Sequence, residues 1–65
     1  HARALSQVQR QILEFITSGL SDKAIAEQLN MSPHNVDYHL RQLKKKYGAQ
    51  NRVQLAYMAG RMFMT

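Results

Sequence analysis

Sixty-five residues without a cysteine make one small domain, whose apolar core must hold without disulfides or thiolate metal sites. An apolar share of 45% excludes disorder on composition, and no apolar run reaches the roughly 18 residues of a membrane-spanning helix. Nine Lys and Arg against four Asp and Glu give a net charge of +5 and a pI near 10.1, a balance that favours a polyanionic partner such as nucleic acid or an anionic membrane. Arg3 and Arg10 flank no apolar run, so the signal-peptide pattern is missing and an intracellular protein is the default expectation. The start at His1 rather than Met suggests a piece of something longer.

The first predicted helix runs from about Gln7 to Ser18. Ser6 is a good N-cap and Gln9 stands three residues on, the spacing of a capping box. Val8, Ile12, Leu13, Phe15 and Ile16 supply a broad apolar stripe, and Gly19 is a natural stop because glycine takes the left-handed backbone freely. Ser21 caps a second, short helix of about eight residues, with Asp22 complementing the dipole of its first turn and Ile25, Ala26 and Leu29 facing inward. Asn30 tolerates the left-handed conformation that a tight turn needs, and Met31 can tuck beneath it. Ser32 then caps a third helix, predicted over about 33–47, with Pro33 at the first position, where a missing N–H costs nothing.

In that third helix Val36, Leu40, Leu43 and Tyr47 fall at i, i+4, i+7 and i+11 and share one face. His34, Tyr38, Arg41, Gln42 and Lys45 point the other way, with Asp37 and Lys44 on one flank. Two short helices joined by about three residues form a helix-turn-helix. Counting from Asp22, such a motif wants a small residue fifth, a turn former ninth and a β-branched residue fifteenth, and Ala26, Asn30 and Val36 stand there. Gly48 ends the third helix and Asn51 can cap a fourth, from about Arg52 to Met62. This last helix has almost no polar side, and a four-helix unit covers only one stripe of it. A second copy of the domain is expected to bury the rest, the alternative being a further domain of the same protein. No hairpin signal follows the third helix, which argues against a winged variant.

These residues resemble the LuxR-type DNA-binding domain of bacterial transcription regulators. The matching elements are Leu5-Ser6, Ile12-Leu13, Gly19-Leu20-Ser21-Asp22-Lys23, Ile25-Ala26, Leu29, Ser32, Asn35-Val36, His39, Leu43, Lys46, Gly48 and Arg52. The resemblance implies an all-α, four-helix domain over 1–65, the third helix in the DNA major groove, the fourth forming a homodimer, and a longer protein whose amino-terminal part senses a signal. It implies a cytoplasmic, nucleoid-associated bacterial protein acting on a pseudo-palindromic operator, with RNA polymerase as a further contact and no membrane partner. No cofactor is expected in this domain. The chain departs from the family at Val8-Gln9, Gln11 and Ala24, and carries Asp37 where a lysine is common. An aromatic before the histidine, as in Tyr38-His39, and Gly48-Ala49 after the third helix are frequent in the autoinducer-binding, quorum-sensing members. The rival upstream module is a phosphorylated receiver domain.

The expected base-reading residues are His34, Asp37, Tyr38 and Arg41, and Arg41 leads because arginine contacts guanine with two donors. Asp37 could accept from a cytosine amino group, orient Arg41 one turn on, or simply be a solvated helix residue. Tyr38 could stack or hydrogen-bond in the groove, or shield the turn. His39, beside the apolar stripe, reads as a packed, hydrogen-bonded histidine. Ser32 and Asn35 at the helix start, with Lys44, Lys45, Lys46 and Arg52, are the expected phosphate contacts, at least two of the three lysines taking that part. Leu55, Met58, Ala59 and Met62 are the expected dimer contacts. An enzyme is not expected, since His34 and His39 do not share a helix face and no carboxylate cluster or glycine-rich loop stands by. The remaining rivals are the promoter-reading domain of a sigma factor and a membrane-surface or protein-docking module using Met58, Met62, Phe63 and Met64.

Overall fold

In the computed structural model, which describes residues 5–63, the chain folds into α1 (Gln7–Thr17), α2 (Asp22–Leu29), α3 (Pro33–Tyr47) and α4 (Arg52–Phe63). Each helix begins where a side-chain oxygen accepts an amide that the first turn leaves without a carbonyl. Ser6 takes the Gln9 N–H at 3.1 Å, Ser21 that of Ala24 at 3.1 Å and Ser32 that of Asn35 at 3.1 Å. Asn51 takes the Gln54 N–H at 2.9 Å, and the Gln54 side chain returns a bond to the Gln50 N–H at 2.8 Å. The box expected at α1 is only half built. The Gln9 amide turns to the ring of His39 instead, 3.5 Å from Nε2 to Nδ1.

The first three helices end in one way. Gly19, Asn30 and Gly48 take positive φ of 86°, 55° and 71°, which turns the chain so that later amides reach back to the last carbonyls. Leu20 N–H bonds to the Phe15 carbonyl, Met31 N–H to that of Ala26 and Ala49 N–H to that of Lys44. Asn30 is the single residue other than glycine with positive φ among those described. It makes the turn that leads α2 into α3.

The core gathers Ile12, Leu13 and Ile16 of α1, Ile25 and Ala26 of α2, Val36, Leu40 and Leu43 of α3, and Ala49, Leu55 and Ala59 from the last connection and α4. Helix α1 packs on α4, α2 on α3, and α3 lies across both α1 and α4. Three buried side chains therefore seat α3, each contributing about 1.5 to 3 kcal/mol on leaving water. Val8, Phe15, Leu29 and Tyr47 pack around that centre as their periodicity predicts, and Met31 joins them from beneath the turn. Among the described residues there is no strand, and none of their helices is long and apolar enough to cross a membrane.

Helices α2 and α4 do not pack on each other. Arg52, at the start of α4, ties them: it donates from Nη1 to Asp22 Oδ1 and from Nη2 to the Leu20 carbonyl. The guanidinium thus holds both the acid in the first turn of α2 and the loop before it, through charge-assisted bonds.

Candidate nucleic-acid interface

With Val36, Leu40 and Leu43 turned into the core, helical geometry points His34, Tyr38, Arg41, Gln42 and Lys45 outward, and all five are exposed. The Tyr38 ring meets the His39 ring edge-on, centroids 5.7 Å apart. His39 is half-buried on the α1 side, held by Gln9, as the sequence suggests. Asp37 stands half-exposed on the opposite flank, and its Oδ2 lies 2.9 Å from Arg41 Nε. Of the predicted readers, His34, Tyr38 and Arg41 share the outward surface, and Asp37 joins them through the arginine.

The cations divide. Successive helical residues are about 100° apart, so the lysine triplet fans out: Lys45 beside Arg41, Lys44 half-buried on the Asp37 flank, and Lys46 exposed on the far flank, its Nζ 5.9 Å from the centre of the Tyr47 ring. At the helix start the Ser32 Oγ already accepts the Asn35 N–H, and the Ser32 carbonyl accepts that of Val36 at 3.2 Å. An anion arriving there meets the Ser32 hydroxyl and the exposed Asn35 side chain rather than those two amides.

Three of the predicted sites are corrected by the structure. Arg52 is not a free phosphate contact, because Nη1 donates to Asp22 and Nη2 to the Leu20 carbonyl, making it an internal tie. Leu55 and Ala59, expected at a dimer contact, are 1% and 0% exposed inside their own domain, whereas Val53 and Tyr57 on the reverse of α4 are 77% and 66% exposed. Apolar residues fall on most sides of α4, with Arg52, Gln54 and Arg61 as its polar side chains, so the sequence shows a stripe without showing its phase. Met58 is half-buried against the core and Met62 remains exposed at the edge; Met64 lies outside the described residues. Gln42 also lies on the outward surface, although it is not among the expected contacts.

A helix-turn-helix of two capped helices, joined by three residues and presenting a basic outer surface, defines a DNA-binding class of domain. Comparison with known proteins agrees. Residues 3–59 match the family model described as bacterial regulatory proteins, luxR family. The chain belongs to that family and is a LuxR-type DNA-binding domain of a transcription regulator. It is 39% identical over 59 residues to transcriptional regulatory protein UhpA of Salmonella typhimurium, covering 91% of this chain and 29% of that protein. To transcriptional regulatory protein FixJ of Rhizobium meliloti it is 35% identical over 57 residues, 88% of this chain and 28% of that one. A protein of Mycobacterium bovis named among the HTH-type transcriptional regulators is 38% identical over 58 residues, 89% of this chain and 7% of its own length. The chain thus spans less than a third of each of these relatives. No solved structure gives a significant match.

Proposed function

We propose that this domain binds a pseudo-palindromic operator in double-stranded DNA, laying α3 in the major groove, and that it does so as a homodimer joined through α4. The observation that carries the reading is the seating of α3: one edge is held by Val36, Leu40 and Leu43, and the other offers Arg41, Tyr38, His34 and Lys45 to solvent. Lys44 and Lys46, on opposite flanks, suit the two phosphate backbones that border a groove. Ser32 and Asn35 add phosphate contacts at the helix start. The exposed Val53 and Tyr57, with Met62 and the rim of Met58, supply the apolar surface that a second copy covers.

The regulator is the output end of a longer quorum-sensing protein whose other part takes a small lactone signal, and it contacts RNA polymerase when bound. Tyr38-His39 and Gly48-Ala49 support the quorum-sensing assignment over a phosphorylated receiver. Titrating the longer protein with lactone and with a phosphodonor separates the two, since only the true signal changes operator affinity. For DNA reading itself, selection of bound sites from a random duplex pool should return two related half-sites. Against the selected operator, Arg41→Ala should lose about 1 to 3 kcal/mol of discrimination over random duplex. Flotation on anionic liposomes without any duplex shift would overturn the DNA reading in favour of a membrane surface.

A further inference from the structure

Asp37 is an unfavourable residue for a surface that meets a polyanion. It is 44% exposed at its side chain, Arg41 is 74% exposed, and the ion pair between them brings Oδ2 to 2.9 Å from Nε. Lys44 is a second cation on the same flank. The shallow groove of about 150 Å³ that Asp37 borders also carries Lys44 and the Asp22–Arg52 pair, whose charges already satisfy each other. Which edge of the guanidinium is taken matters. An arginine reads guanine through two parallel donors directed at O6 and N7, and its planar fork has donors on more than one edge. Contact at Nε uses the donor nearest the backbone and leaves the terminal Nη nitrogens for such an acceptor pair. In water an exposed pair of this kind contributes little, but it strengthens once a groove excludes solvent around it.

We propose that Asp37 is a positioning residue for base recognition: it holds Arg41 by its Nε edge so that the terminal nitrogens meet one guanine, and its own charge weakens binding to duplexes lacking that base. The second half is specificity by repulsion, because a carboxylate beside phosphates is compensated only where the arginine finds its acceptors. The inference rests on α3 being the groove-facing helix and deepens that reading.

Site selection from a random duplex pool, with salt titrations on selected and random duplexes, tests it in Asp37→Ala, Asp37→Asn, Arg41→Ala and the Asp37→Ala/Arg41→Ala double variant. Arg41→Ala should erase the guanine preference at one position. Asp37→Ala should relax that same position about tenfold, a coupling usual between residues in contact, while binding random duplex more tightly. It should cost no further preference once Arg41 is already alanine. Asp37→Asn, which keeps an amide oxygen to face Nε without the charge, should keep most of the preference but share the tighter random binding. Relaxation at a different base pair would show Asp37 reading a base itself and overturn the proposal, as would losses that simply add in the double variant. Should Arg41→Ala leave every position unchanged, Arg41 has no reading role to be positioned for and the inference ends there; loss of all duplex binding by the parent chain would instead remove the seating of α3 in the groove.

Discussion

Lys45 and Arg41 both stand on the outward face of α3, yet the physics asks different things of them. An ammonium is a compact, strongly hydrated charge, suited to a phosphate oxygen, whereas the guanidinium fork matches a base edge. Neutralising a phosphate releases counterions, so each such contact steepens the dependence of binding on salt. Lys45→Ala should therefore weaken operator and random duplex alike and reduce the logarithmic salt slope by about 1. Fluorescence anisotropy titrations at several salt concentrations measure this directly, and an unchanged slope would take Lys45 off the phosphates. Arg52 offers the contrasting case of a cation whose charge looks available in the sequence. In the fold it is committed to Asp22 and the Leu20 carbonyl, so replacing it should loosen α2 before it alters any contact with DNA.

Among the elements, the α2–α3 pair depends on how steeply the chain turns between them. Asn30 sits at φ 55°, ψ 47°, where a side chain with a Cβ is strained by about 1 to 2 kcal/mol and only glycine escapes the penalty. Asparagine tolerates the region better than most residues. Asn30→Ala should consequently lower the unfolding free energy by about 1 kcal/mol while Asn30→Gly leaves it near that of the parent or slightly above. Urea denaturation followed by circular dichroism distinguishes them, and equal stability of the two variants would mean that this turn is not strained as described. This turn was readable from the amino acids because its cause is local: Ser21, Asn30, Ser32 and Pro33 each act within about four residues. The same holds for Ser6, Gly19, Gly48 and Asn51. The Asp22–Arg52 tie was not readable, since the partners are 30 residues apart and nothing in their neighbourhoods marks them for each other. Gln9 misled for a related reason, as its capping spacing is right but His39 on α3 competes for its amide.

At the scale of the whole molecule, the same divide between period and phase decides which side of α4 is open. Apolar residues at i, i+4, i+7 and i+11 make the phase of α3 plain, whereas α4 carries apolar side chains on most of its sides, and packing on α1 and α3 decides the matter. Leu55 and Ala59 went inside, leaving Val53 and Tyr57 on the surface. A domain of this size is only marginally stable, and losing a buried leucine side chain costs about 2 to 5 kcal/mol. Leu55→Ala should therefore unfold a large fraction of the protein, abolishing the proposed self-association and DNA binding together. Tyr57→Asp should leave the thermal melt nearly unchanged, because the side chain is already in water in the monomer. It should nevertheless cost the proposed dimer about 2 kcal/mol or more, as loss of an interface tyrosine often does. Sedimentation of this variant should show a folded monomer that binds each half-site equally but loses the added affinity of two half-sites placed about 34 to 36 Å apart. A folded Tyr57→Asp variant that still pairs and still prefers the full operator would move the dimer contact away from this face of α4.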